Sequence, residues 1–411
     1  MLKRIPTESL RVGMYVQEFC GPWIDHPFWR ERFVIADEAD LQTIMDSPIR
    51  EVVIDASKGL DVDPQAPVRP DRPAPPPPAP KEKTAAAPAG APRALDPKDE
   101  LERAARILAE SRDVVASMFD EARLGGVRDV GTAMAAVDAI AGSVERHPMA
   151  MIGLARLKSA DDYTFMHSVA VSALMVALAR TLGLDANQVR VAGMAGLLHD
   201  VGKAQIPLDV LNKPGALDDG EWTLMRTHPE RGHLILRETR GAAEPVLEAV
   251  LHHHERIDGT GYPHKLPAAQ ISQLARMTAV CDVYDAITSN RPYKAGWQPT
   301  MAIRKMKEWA GGHLDETLYQ AFVKTVGIYP VGSLVRLQSQ RLAVVVGHNA
   351  AHLLQPTVRA FFSLRSNMHI PPVDIDLGVK SAADRIVAIE DPATHGLSRV
   401  DEIWSMAGAE A

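Results

Sequence analysis

Between Pro64 and Pro97 the chain carries twelve of its thirty prolines, including the run Pro75-Pro76-Pro77-Pro78, mixed with alanine, lysine and glutamate. A segment so poor in large apolar residues cannot bury a core, and its proline favours extended polyproline II backbone. The chain must therefore fold as at least two bodies joined by a tether. At about 3.1 Å per residue, such a tether can span on the order of 100 Å. It reads as a semi-rigid spacer; a docking peptide for a proline-binding module is the alternative. The length of 411 residues agrees, being too great for one ordinary domain.

Residues 1–62 read as a small α+β regulatory domain, followed by the linker 63–97. Leu10 to Val16 alternates like a strand bent at Gly13, Phe33 to Ile35 and Arg50 to Asp55 read as strands, and Asp37 can cap a helix carrying Leu41, Ile44 and Met45. Trp23, Phe28 and Trp29 are read as part of its core, with a partner surface as the alternative. Residues 98–148 hold two amphipathic helices, the first with Leu101, Ala105, Leu108, Val115 and Phe119 on one face. These either begin the following bundle or pair with a second copy of the chain as a homodimer. Residues 149–327 are predominantly helical, and 328–411 form a β-rich appendix with strands at 334–337, 342–346, 358–363 and 386–390. The expected fold is mainly α, with small sheets at the two ends.

Charge narrows the partners. A net charge of -7 and a pI near 6.1 leave no basic footprint for duplex nucleic acid, though a local basic pocket for a small phosphate ligand is compatible. Cys20 and Cys281 show no paired spacing, which fits a reducing compartment without disulfides. No eighteen apolar residues run uninterrupted, so membrane insertion is not expected and the predicted location is cytoplasmic.

The chemistry gathers in His167, the doublet His199-Asp200, His228, the triplet His252-His253-His254, and Asp282 and Asp285. Taken singly, each has an ordinary structural role. As a set they sit at or near the ends of apolar helices, where their polar heads face a bundle interior. Buried polar groups must be paired, and so many imidazoles and carboxylates in one core have few common partners except metal ions. Nitrogen and oxygen donors without thiolate suit iron, manganese or nickel better than structural zinc.

Six ordered motifs then identify a family. Tyr163-Thr164-Phe165-Met166-His167-Ser168, His199-Asp200-Val201-Gly202-Lys203, His228-Pro229-Glu230-Arg231-Gly232, His253-His254-Glu255 through Asp258-Gly259-Thr260-Gly261-Tyr262-Pro263, Asp282-Val283-Tyr284-Asp285-Ala286 and Arg291-Pro292-Tyr293-Lys294 resemble those of HD-GYP proteins. That is the bacterial branch of the HD superfamily that hydrolyses cyclic di-GMP in signal transduction. The resemblance covers about 150–330; more softly, residues 5–55 resemble the domain of unknown function that often precedes this catalytic domain. It implies a helical HD bundle with metal ligands His199, Asp200, His228, His253, His254 and Asp282. Asp200 would bridge the ions, and His167 would be a weak or outer ligand. Lys203 would act on the scissile phosphate or leaving group. Arg291 and Lys294 would grip phosphates, with Tyr262, Gly261 and Asp285 also on the substrate side. The extra His252 is expected to drop out of the ligand set.

One departure matters. Three-metal members of the family carry a glutamate where this chain has Tyr163, so the resemblance implies two divalent ions, iron or manganese, and a linear pGpG product in preference to GMP. Three other readings stand beside it: a different cyclic dinucleotide, a nucleotide phosphate, and a non-enzymatic sensor or adaptor that binds diguanylate cyclases through the Gly-Tyr-Pro loop. Degenerate members usually lose the His-Asp doublet or the double histidine, and both are intact here.

Overall fold

The computed structural model of the chain describes residues 2–20, 33–35, 37–46, 51–61, 97–156, 163–213, 215–289, 296–349, 352–379 and 384–397, with 400 and 403. The proline-rich tether and Trp23, Phe28 and Trp29 lie outside the described residues. The chain divides into two units, Met1–Ala89 and Gly90–Ala411.

In the first unit, strands β1 (Leu2–Pro6), β2 (Tyr15–Cys20) and β3 (Phe33–Val34), helix α1 (Glu38–Asp46) and strand β4 (Glu51–Asp55) follow in sequence. The sheet is antiparallel, in the order β1-β4-β2-β3. Ile5 lies opposite Val52 and Val16 opposite Ile54, which turns these residues inward with Ile35, Leu41 and Ile44. The strand expected over Leu10–Val16 starts only at Tyr15, because the Met14 N–H returns to the Arg11 carbonyl in a turn (3.2 Å).

The second unit begins with α2 (Pro97–Arg123), α3 (Gly131–Arg146), α4 (Pro148–Arg156), α5 (Tyr163–Thr181) and α6 (Ala186–Leu198). It continues with α7 (Leu208–Leu211), α8 (Asp219–Met225), α9 (His228–Arg237), α10 (Glu244–His252), α11 (Gln273–Thr288), α12 (Pro299–Trp309) and α13 (Glu316–Val326). Side-chain caps mark several starts: Asp185 and Asp218 form reciprocal capping boxes with Gln188 and Glu221, and Ser272 and Asp315 cap α11 and α13. The apolar face of α2 is buried in one core with α3, α5 and α6, through Ala104, Leu108, Val115 and Phe119. Ala104 replaces the expected Ala105, which is exposed. Buried Glu100 ties α2 to α3 by accepting from Ser143 Oγ and from Arg146 Nε and Nη2 at 2.9–3.0 Å.

Helix α5 is the spine of this core. Its stretch Thr164–Thr181 is long and apolar enough to cross a membrane by length and composition, but 72% of it is buried inside the bundle. Its small and apolar side chains face helices on most sides, which accounts for its hydropathy.

Strands β5 (Leu334–Leu337), β6 (Arg341–Gly347), β7 (Thr357–Ser363), β8 (Met368–Asp376) and β9 (Ile386–Ile389) form a second antiparallel sheet, ordered β8-β7-β6-β5-β9. Leu334, Leu342, Val344 and Phe361 cluster with Met149 of α4. The expected strands are all present. Strand β8 was not expected: it is mostly exposed, and its short apolar alternation is broken by Pro371-Pro372. An edge position at a register shift is where a sheet tolerates proline. The architecture is thus mainly helical with a small sheet toward each end.

Candidate metal centre

Five helices, most of them apolar, and one short turn deliver the polar groups. His167 is on α5, His199 ends α6, and Asp200 leads into a 3-10 turn over Val201–Gln205. His228 opens α9, His253 ends α10 with His254 next, and Asp282 and Asp285 lie on α11. The turn after the His-Asp doublet must be tight. A Cβ on Gly202 would lie 1.9 Å from the His228 carbonyl oxygen and 2.4 Å from the Gly232 nitrogen. Only glycine lets the start of α9 approach Asp200 so closely.

Among the described residues, two groups could each hold a metal ion: Asp200 with His228, His253 and His254, and His167 with His199 and Asp282. Asp200 faces both. Its Oδ1 lies 3.2 Å from His228 Nε2, while its Oδ2 lies 3.3 Å from His199 Nε2 and 3.6 Å from His167 Nε2. Asp282 Oδ1 is 3.0 Å from His167 Nε2, and its Oδ2 is 3.9 Å from His254 Nδ1.

The ring hydrogens can be assigned from their partners. His199, His228 and His253 each place Nδ1 2.8 Å from a backbone carbonyl, of Gly196, Met225 and Val250 respectively. A carbonyl only accepts, so Nδ1 carries the hydrogen and a neutral ring presents a lone pair at Nε2. His167 does the same with Asp285 Oδ2, at 2.6 Å. Yet His199 Nε2 faces His167 Nε2 at 3.3 Å, and His228 Nε2 faces His253 Nε2 at 3.3 Å. Two facing lone pairs repel unless a cation sits among them. Asp200 Oδ1 is buried and makes no hydrogen bond. The donor set therefore fits divalent metal ions.

The electrostatics agree at Asp200, Asp282, His253 and His254. Burial alone would raise the Asp200 carboxyl, but Lys203 and His199 hold it well below the usual carboxylate range. Asp282 is likewise lowered against the effect of burial, chiefly by His167. Burial, then the neighbouring imidazoles, push His253 well down, and burial with His228 lowers His254 to about 3. These carboxylates are ionised and these rings neutral, the states in which they donate to a metal. His199 moves the other way: burial lowers it, and Asp200 more than reverses the effect.

Lys203 Nζ donates to Asp200 Oδ2 at 2.5 Å and is partly exposed. The Gly-Tyr-Pro loop folds back onto the centre. The Tyr262 N–H donates to the His254 carbonyl (3.2 Å), and the Tyr262 ring stacks on His254 with centroids 4.7 Å apart. A Cβ on Gly261 would sit 2.4 Å from the Arg256 nitrogen. Buried Glu255 anchors the loop by accepting from the N–H groups of His264 (2.6 Å) and Leu266 (3.1 Å). His252 bonds Glu248 (2.9 Å) and His264 (3.1 Å) and belongs to neither group. Tyr163 opens α5, but its side chain lies outside the described residues, as do Arg291 and Lys294.

Asp285, expected among the substrate contacts, lies behind His167, its Oδ2 2.6 Å from Nδ1, with both side chains buried. Sequence reasoning did not anticipate that contact or the anchoring by Glu255. The signal for Asp285 was its spacing three residues after Asp282, which puts both on one helix face.

Comparison with known proteins bears on this site. Residues 2–133 match a domain of unknown function, DUF3391, and residues 138–318 match the HD domain. The Pseudomonas aeruginosa protein named cyclic di-GMP phosphodiesterase PA4108 is 50% identical over 407 residues, covering 98% of this chain and 96% of that one. The cyclic di-GMP phosphodiesterase response regulator RpfG of Xanthomonas campestris pv. campestris is 39% identical over 148 residues, 36% of this chain and 39% of its own. The 3'3'-cGAMP-specific phosphodiesterase 1 of Vibrio cholerae is 34% identical over 164 residues, 40% of this chain and 38% of its own.

Proposed function

The chain belongs to the HD-GYP family of cyclic di-GMP phosphodiesterases, with a DUF3391 domain ahead of its HD domain, and from this premise we propose that it hydrolyses cyclic di-GMP to linear pGpG with two divalent ions, iron or manganese. The observation that carries metal dependence is the convergence of Nε2 lone pairs, paired face to face at 3.3 Å, on ionised Asp200. Two ligand groups support two ions. Tyr163, where three-metal relatives carry glutamate, supports stopping at the linear product.

His228, His253, His254 and Asp200 would hold one ion, and His167, His199 and Asp282 the other, with Asp200 shared. Bound divalent ions would supply Lewis acidity and lower the pKa of water near the phosphate. The chain's own residues do the rest. Lys203 fixes the Asp200 carboxylate and adds a positive charge at the partly open face, where it can offset charge developing on phosphoryl oxygens. Carbonyls at Gly196, Met225 and Val250 hold three rings in the donating tautomer. Tyr262 covers the His254 ring and limits water at that edge. Cyclic di-GMP is the proposed partner molecule; binding of a diguanylate cyclase at the loop would be a further consequence of family membership.

The test is turnover by protein prepared anaerobically with iron or manganese, with products separated by chromatography. Cyclic di-GMP should give pGpG, and His199→Ala and Asp200→Ala should each abolish turnover while keeping the helical circular-dichroism signal. Normal turnover in both variants would refute the site. Metal-loaded protein that leaves cyclic di-GMP intact would refute the reaction.

A further inference from the structure

Beside the metal centre lies a cation that the reaction as described does not use. Arg226 ends α8, two residues before His228. Its guanidinium carbon lies 5.9 Å from the centroid of the Trp222 ring and 5.8 Å from that of Tyr262. Tyr262 itself stacks on His254. Trp222 is 46% exposed, although large aromatic side chains normally bury most of their surface. No carboxylate pairs with Arg226 among the described residues.

Held over two rings, the guanidinium keeps its charge and its planar fork of N–H donors while losing freedom to turn. A flat ligand lying on the open indole of Trp222 would bring its edge to that fork. Guanine offers two adjacent acceptors there, O6 and N7, which match a bidentate arginine; adenine offers N7 beside an amino donor, which does not. The phosphate already has Lys203 and the ligand groups, so the unneutralised fork is left for the base.

We propose that Trp222 and Arg226 form a purine subsite next to the metal centre, in which Trp222 stacks on one base of a cyclic dinucleotide and Arg226 selects guanine over adenine. The assignment rests on the cyclic dinucleotide hydrolase reading. It names a specificity determinant; neither residue is a metal ligand.

The test compares full-length wild type, Arg226→Ala, Trp222→Ala and Trp222→Phe on cyclic di-GMP, 3'3'-cGAMP and cyclic di-AMP. Arg226→Ala should raise KM for cyclic di-GMP on the order of 10- to 100-fold, with kcat changed far less. KM for cyclic di-AMP should change little. Trp222→Ala should raise KM for all three by about 5- to 100-fold, and Trp222→Phe should recover most of the loss, since every base has a face to stack. Both side chains are exposed, so melting temperatures should match wild type. An equal loss for all three ligands in Arg226→Ala would make the arginine a phosphate contact and overturn guanine selection; no loss would overturn the subsite. If wild type cleaves none of the three, the hydrolase reading fails, and equilibrium binding of the same ligands to wild type and Arg226→Ala then decides the subsite. Absence of binding, or equal binding by both proteins, overturns it.

Discussion

Replacing Asp285 by alanine separates two roles for this carboxylate. The substitution removes an acceptor 2.6 Å from His167 Nδ1, where both residues are 3% exposed. A buried N–H left without a partner costs about 1–3 kcal/mol. Loss of the outer partner of a ligating histidine typically weakens metal affinity by about 10- to 100-fold. At about 1.4 kcal/mol per tenfold the two ranges are of the same size. His167 groups with His199 and Asp282 and not with the His228 group, so the loss should fall on one of two ions. Manganese titration followed by electron paramagnetic resonance, with elemental analysis, should show one site weakened and the other near wild type. Asp285→Asn keeps an oxygen acceptor and should lose less. If Asp285→Ala binds manganese normally at both sites but raises KM, the carboxylate is the substrate contact that the sequence suggested and the positioning argument is wrong.

Other outcomes follow from the same geometry. Gly202→Ala drives a Cβ into backbone atoms of His228 and Gly232 that cannot retreat separately; the cost should lie at or above the upper end of about 1–3 kcal/mol, read as a lowered Tm together with weakened metal binding. Glu100→Gln should cost about 1–2 kcal/mol by chemical denaturation, since the partner Arg146 is partly exposed and its interaction is screened. The Glu100 carboxyl is opposed by burial but lowered below its ordinary 4.5 by Arg146 and Ser143. Its stabilisation is therefore in force above pH 4.5 and fades as pH falls through the lowered value, so wild type and Glu100→Gln should converge in stability in acid. Denaturation curves that stay equally separated down to the acid transition would contradict that sign.

Much of this was legible in residue order, and the limits have physical causes. The helices were legible because apolar periodicity and capping residues are local, as at Asp218 with Glu221 and at Ser272. The ligand candidates were legible as a set of histidines and aspartates at helix ends. Their division into two groups was not, because it depends on α5, α6 and α11 meeting in space. Asp285 shows the same limit. Its partner His167 lies 118 residues earlier, and nothing in local spacing tells a carboxylate facing substrate from one facing the back of a ring. Strand β8 failed for the opposite reason, since an exposed edge imposes almost no apolar pattern to read.

The loop and the metal centre are one mechanical element. His254 supplies a ring to the first ligand group, its carbonyl receives the Tyr262 N–H, and its face carries the Tyr262 ring. The next residue, Glu255, holds the far end of the loop through His264 and Leu266. A rotation of His254 therefore moves the surface on which Tyr262 rests, and Tyr262 in turn lies beside Arg226. In the proposed centre, ligand geometry at the metals and the shape of the surface offered to a base would be set by the same few residues. Substitutions in the loop should accordingly alter metal affinity as well as substrate binding, whereas substitutions at Trp222, which belongs to neither metal group, should raise KM and leave metal affinity unchanged.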